Sequence, residues 1–112
     1  MTERSGASHP RLRLDDRFAS PIRFSLMAAL GEDLELDFAT LAGILQVSDS
    51  ALSKAISALE QADYVRVRKG QAGARPRTWV TGTAQGVRAF RAHVDALHAI
   101  VEYGAGAGPA ST

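Results

Sequence analysis

A mainly helical fold with one small β-hairpin is predicted for this 112-residue chain by three observations. Apolar residues recur at helical spacing in separate stretches, and Ser, Thr or Asp stands as a cap before each of them. Two short runs, Val65 to Val67 and Trp79 to Val80, flank a turn region containing Gly70, Gly73 and Pro76. Together they predict a three-helix core, a two-stranded hairpin and a long C-terminal helix.

Residues 1–14 mix Ser, Gly, His, Pro and Arg and are expected to be a flexible arm. Residues 104–112 hold only Gly, Ala, Pro, Ser and Thr and are expected to be a disordered tail. The folded domain is therefore placed at 15–103, with a short turn of helix through Phe18. Ser20-Pro21 starts the first helix, because Ser accepts an orphan N–H and Pro lacks the donor that this position leaves unused. Ile22, Leu26, Met27 and Leu30 form its buried stripe, and Gly31 ends it. Asp37 caps a two-turn helix with Phe38, Leu41, Ile44 and Leu45 on its apolar face, ending near Gln46. Val47 is expected to plug the core from the turn. Ser48, Asp49 and Ser50 are alternative caps for a helix running to Gln61, with Leu52, Ile56 and Leu59 inward. That spacing leaves Ser50, Ser53, Lys54 and Ser57 on an outward face of small hydroxyls and one cation. An ordinary solvated helix carries more Glu and Lys, so this face is suited to lie in a major groove.

Val65 and Val67 alternate with Arg66 and Arg68, the pattern of a strand with one buried and one basic face. Arg75 and Arg77 around Pro76 form a stiff cationic tip of a size to reach a minor groove or its phosphates. Thr83 caps the last helix, 83–103. Val87, Phe90, Val94, Leu97 and Val101 follow at spacings of 3, 4, 3 and 4, an a/d seam that Ile100 widens. So small a core benefits from a partner, and these six residues are the expected homodimer interface.

Overall charge conceals the functional signal, since 13 basic and 12 acidic residues leave only +1. Between Tyr64 and Val94 lie Arg66, Arg68, Lys69, Arg75, Arg77, Arg88 and Arg91 with no Asp or Glu, whereas Asp15 to Asp63 holds nine acids against three bases. Segregation by sign points to a polyanion, and its position just after two short helices points to duplex DNA. The absence of Cys removes disulfides and thiolate metal sites, and fits the cytoplasm. The start of the chain does not read as a secretory signal, and no apolar run approaches the ~20 residues of a membrane helix. Scattered Ser, His and Asp assemble no nucleophile, base and orienting acid, so neither an enzyme nor a cofactor is expected. Asp95, His98 and Glu102 share a helix face with His93 nearby, but such histidines are more often packing or surface groups, and no metal site is assigned.

The motifs Asp37-Phe38-Ala39-Thr40-Leu41, Ser50-Ala51-Leu52-Ser53-Lys54, Leu59 to Val65, Arg75-Pro76-Arg77-Thr78 and Thr83-Ala84-Gln85-Gly86 occur in that order. From Phe18 to about Tyr103 the chain resembles winged helix-turn-helix transcriptional regulators, in particular small single-domain MarR-like repressors. The resemblance implies that the helix 49–61 reads the major groove, that 69–78 is the wing, and that the terminal helices build a dimer. The expected DNA contacts are Ser48, Ser50, Ser53, Lys54, Ser57, Arg66, Arg68, Lys69, Arg75, Arg77 and Thr78. Asp63 stands where such sequences usually place Gly in left-handed backbone. Gly82 stands where a Leu usually packs beneath the last helix, so that junction is expected to be looser or differently angled. The alternatives are a winged-helix protein-interaction adaptor and a metal- or small-molecule-responsive repressor. An effector would bind between the DNA-binding lobe and the dimer helices.

Overall fold

The structure, a computed structural model, describes residues 8–107. Its elements are α1 (Pro21–Ala29), β1 (Glu35–Asp37), α2 (Phe38–Leu45), α3 (Asp49–Gln61), β2 (Val65–Ala72), β3 (Arg75–Gly82) and α4 (Ala84–Ala107). The strands form one antiparallel sheet in the order β1-β3-β2. The result is a winged helix, three short helices closed by the sheet and followed by a long helix.

Local chemistry sets each boundary. Ser20 Oγ accepts the Arg23 N–H and Pro21 opens α1. Of the three caps open to α3, Ser48 is used: its Oγ accepts the Ala51 N–H at 3.1 Å. Asp37 occupies the cap position of α2, but its carboxylate takes the Thr40 hydroxyl rather than a backbone N–H. Both α2 and α3 end on a left-handed residue, Gln46 at φ +55° and Asp63 at φ +63°. In each case the following N–H reaches back five residues, Val47 to Ala42 and Tyr64 to Leu59, and closes the helix end. Asp63 thus holds the backbone shape expected of that position.

The core joins Leu26 and Met27 of α1, Leu41 of α2, Leu52, Ile56 and Leu59 of α3, and Val65 and Val80 of the sheet. Ile44 does not belong to it: this residue of the expected apolar face is 55% exposed. Val47 packs against the core from the turn.

Three differences from the sequence reading concern the sheet and the ends. β1 is a third strand, pairing Glu35 with Thr81, Leu36 with Val80 and Asp37 with Trp79. The hairpin strands run to a two-residue turn at Gly73 and Ala74, so Arg75-Pro76-Arg77 lies in β3 rather than in a loop. At Pro76 β3 has β2 as its only neighbour, a setting in which a missing N–H is tolerated. Instead of a free arm up to residue 14, Pro10–Arg13 forms a 3₁₀ turn packed on α4, with Pro10 buried and the His9 ring 4.7 Å from that of Tyr103. Helix α4 likewise runs past Tyr103 to Ala107, while residues 1–7 and 108–112 lie outside the described residues.

The junction at Gly82, expected to be looser or differently angled, is closely packed. Its N–H donates to the Gly31 carbonyl at 3.1 Å, and a Cβ there would stand 3.0 Å from Met27 Cε. A side chain there would have to displace the Met27 tip and the Gly31 carbonyl, because the end of β3 is held directly against the end of α1.

Candidate nucleic-acid interface

Helix α3 turns Leu52, Ala55, Ile56 and Leu59 inward, which leaves Ser50, Ser53, Lys54 and Ser57 exposed along one side. Ser48 is also exposed, although its oxygen is engaged by the cap. Strand alternation then divides the wing. Val67, paired with Val80, faces the core, and two residues on Lys69, paired with Thr78, continues that face toward the tip. Ser53, Ser57 and Glu60 of α3 line a shallow groove of about 210 Å³ with Lys69 and Thr78. Four of the expected contacts therefore meet in one concavity between helix and wing. Arg75, Arg77 and Thr78 line a second groove of about 310 Å³ with Asp37, Phe38 and Ala39 at the start of α2.

By the same alternation Arg66, Arg68, Arg75 and Arg77 belong to the other face of the hairpin, together with Trp79. Arg66, Arg75 and Arg77 are exposed cations there. Arg68 is differently placed. Its Nε donates to Glu35 Oε2 at 3.0 Å and its Nη2 to Glu35 Oε1 at 2.8 Å. The guanidinium carbon lies 5.3 Å from the Trp79 ring centroid, and that of Arg77 lies 5.7 Å from the same centroid. The hydrogen bond from Arg68 holds the Glu35 carboxyl below its ordinary value, and the same bond raises Arg68. Asp37 is also held low, first by the Thr40 hydroxyl and further by the charge of Arg77. Segregation of charge along the sequence is thus partly undone in space: β1 brings two acids to the basic wing.

Across the domain from the wing, the segment before α1 is tied to the end of α3. The Tyr64 hydroxyl donates to the Asp15 carboxylate, which also accepts the Arg17 N–H at 2.9 Å. Burial pushes the Asp15 carboxyl up, but the Tyr64 and Arg17 hydrogen bonds and the Arg17 charge outweigh it and leave it lowered. His93, 5% exposed, accepts the Asp15 N–H at Nδ1 at 2.9 Å. Its ring packs 5.3 Å from Phe18 and 5.8 Å from Phe24, so His93 is a packing group with a specific hydrogen bond. Among the described residues no three metal-ligating side chains converge.

The expected dimer seam on α4 is not uniform. Val87 packs against the core of its own domain, and Phe90 meets Phe18 edge-on at 5.4 Å and Phe24 at 5.0 Å. Val94, Leu97 and Ile100 are half-buried, and Val101 is 71% exposed.

An α3 of small polar residues beside a basic hairpin defines a winged-helix DNA-binding protein. The family model of the winged helix DNA-binding domain matches residues 22–101, and the chain belongs to that family, one of DNA-binding regulators rather than enzymes. A transcriptional regulator homologue from Pyrococcus horikoshii OT3 is 25% identical, with a TM-score of 0.72 over 79% of this chain and 87% of that one. HlyU from Vibrio cholerae N16961 is 23% identical, with a TM-score of 0.57 over 81% of this chain and 91% of that one. The fold is also shared with Lactococcus lactis ZitR in complex with DNA, at 17% identity and a TM-score of 0.53 over 73% of this chain and 55% of that one. No curated protein matches the chain significantly. Among the described residues no helix is long and apolar enough to cross a membrane.

Proposed function

We propose that the protein is a sequence-specific, double-stranded DNA-binding transcriptional regulator, a homodimeric repressor working in the cytoplasm. The observation that carries this reading is the groove in which Ser53 and Ser57 of α3 meet Lys69 and Thr78 of the wing. In it a helix narrow enough for the major groove and a cationic ribbon present one continuous surface. Ser50, Ser53, Lys54 and Ser57 contact bases and phosphates, while Arg66, Lys69, Arg75 and Arg77 hold the backbone and the minor groove. The half-buried and exposed residues toward the end of α4, from Val94 to Val101, support pairing of two copies, as a two-fold operator requires.

The test is fluorescence anisotropy with a labelled duplex from the upstream region of the protein's own gene and a scrambled duplex, across salt concentrations. Arg75→Ala with Arg77→Ala is expected to weaken binding to both duplexes and flatten the salt slope by about 2 units. Lys54→Ala is expected to change the preference between duplexes instead. An unchanged slope in the double variant refutes the wing assignment, and no binding at low salt refutes DNA recognition and favours an adaptor.

A further inference from the structure

Glu35 and Arg68 stand on β1 and β2, the outer strands of the sheet, with β3 between them. Their two-pronged bond, 2.8 and 3.0 Å, therefore spans all three strands on the face that bears Trp79. It does so where the sheet narrows. Trp79 is paired with Asp37 on one side and Arg68 on the other, and beyond it the wing continues as a two-stranded ribbon to Gly73. Such a ribbon is marginal by itself and free to twist. An exposed ion pair adds little stability, and this one keeps 56% and 37% of its side-chain areas open. What a fork-to-carboxylate pair does supply is orientation.

The pair also bears on the charge that DNA would meet. An unpaired Glu35 beside a phosphate backbone would repel it, whereas Glu35 joined to Arg68 presents almost no net charge. Arg77 precedes Trp79 by two positions on the same face, nearer the tip, and stacks on the same ring. Asp37, whose carboxylate is held by Thr40, lies within the field of Arg77. Holding a long cationic side chain before binding removes part of the ordering cost of the complex.

We propose that Glu35 is a positioning residue for DNA binding: through Arg68 and Trp79 it braces the root of the wing and aims Arg77, and Arg68 is not itself a phosphate contact. The proposal rests on the DNA-binding reading above and replaces the phosphate role expected for Arg68.

Two measurements on the full chain test it. Trp79 is the single tryptophan, so its emission and its quenching by acrylamide report on the brace without DNA. Glu35→Gln is expected to shift the emission and increase quenching. In salt-dependent anisotropy, Glu35→Gln and the double variant Glu35→Gln with Arg68→Gln are each expected to weaken duplex binding about 3- to 10-fold, the cost of ordering one or two side chains, with the slope unchanged. Arg77→Gln is expected to lower the slope by about 0.9, the signature of one lost phosphate contact. A similar fall on adding Arg68→Gln to Glu35→Gln, where no carboxylate is left unpaired, overturns the proposal, because Arg68 would then be a phosphate contact. Tighter, more salt-steep binding by Glu35→Gln also overturns it, since Glu35 would then act only by repulsion. An unaltered Trp79 signal in Glu35→Gln overturns the brace. Failure of the unmodified chain to bind any duplex removes the DNA-binding reading and this proposal together, and the Trp79 response distinguishes that result from loss of the brace alone.

Discussion

Replacing Gly86 by Ala is expected to unseat the long helix. The first turn of α4 approaches the chain just after α3 so closely that a Cβ on Gly86 would stand 2.1 Å from the Tyr64 carbonyl oxygen and 2.8 Å from its Cα. Real Cβ atoms do not come within 3.0 Å, so the two backbones must separate by about 0.9 Å. Neither side is a flexible side-chain tip. The Tyr64 carbonyl accepts the Thr83 N–H at 3.0 Å, and the Tyr64 ring stacks on Phe18 at 5.4 Å. Overpacking of this kind costs about 1–3 kcal/mol, and weakening the hydrogen bond and the stacking adds about 1 kcal/mol. A total near 3 kcal/mol lowers the melting temperature by roughly 12–24 °C in a domain of this size. Gly43 is the control. It lies exposed inside α2 with no heavy atom within 4 Å of an added Cβ, so Gly43→Ala is expected to gain about 0.5–1 kcal/mol of stability. Thermal melting followed by circular dichroism decides the matter. A Gly86→Ala variant melting within about 3 °C of the parent, or both substitutions moving the midpoint the same way, refutes the reasoning.

Two further outcomes follow from named contacts. Tyr64→Phe removes the hydroxyl bound to Asp15 and is expected to cost about 1–3 kcal/mol at neutral pH, measured by urea unfolding. Because the folded Asp15 value lies below its ordinary 3.8, its contribution is present above that value and disappears as pH falls through the lowered one. Tyr64→Phe should therefore show a shallower loss of stability in acid than the parent, and parallel acid limbs would contradict the assignment. The raised Tyr64 value works in the opposite direction: its contribution holds below the ordinary 10.0 and is lost as pH rises through the folded value. Ser48→Ala deletes the cap of α3 and is expected to cost about 1 kcal/mol, whereas Ser50→Ala, which leaves that cap intact, should leave the melting point nearly unchanged.

Features that depend on local pattern were legible in the sequence. The Ser20-Pro21 start and the inward Leu52, Ile56 and Leu59 each follow from short-range spacing, whereas the left-handed backbone at Asp63 was implied by the family resemblance. Features that depend on distant partners were not. β1 is only three residues long, too short for alternation to register, and it exists because β3 offers it an edge. Without β1, Glu35 belonged to an acidic stretch far from the basic one, and its bond to Arg68 could not be foreseen. The turn at Pro10–Arg13 reads as a polar tail because its order comes from packing on α4, more than seventy positions away. Arg68 opposite Trp79, and Arg77 two positions before it, did hold a usable signal, since that register places both cations beside the ring.

The hydrogen bond between the Asp15 N–H and His93 joins residues 78 positions apart, and the Tyr64 bond to Asp15 spans 49. During synthesis the segment before α1 leaves the ribosome ahead of α4, and its bond to His93 cannot form until the first half of that helix has followed. The helix-turn-helix and wing, whose contacts are nearer in sequence, can assemble before that. Until His93 arrives, Phe18 lacks part of its aromatic surroundings, so the domain closes fully only after α4 has begun to form.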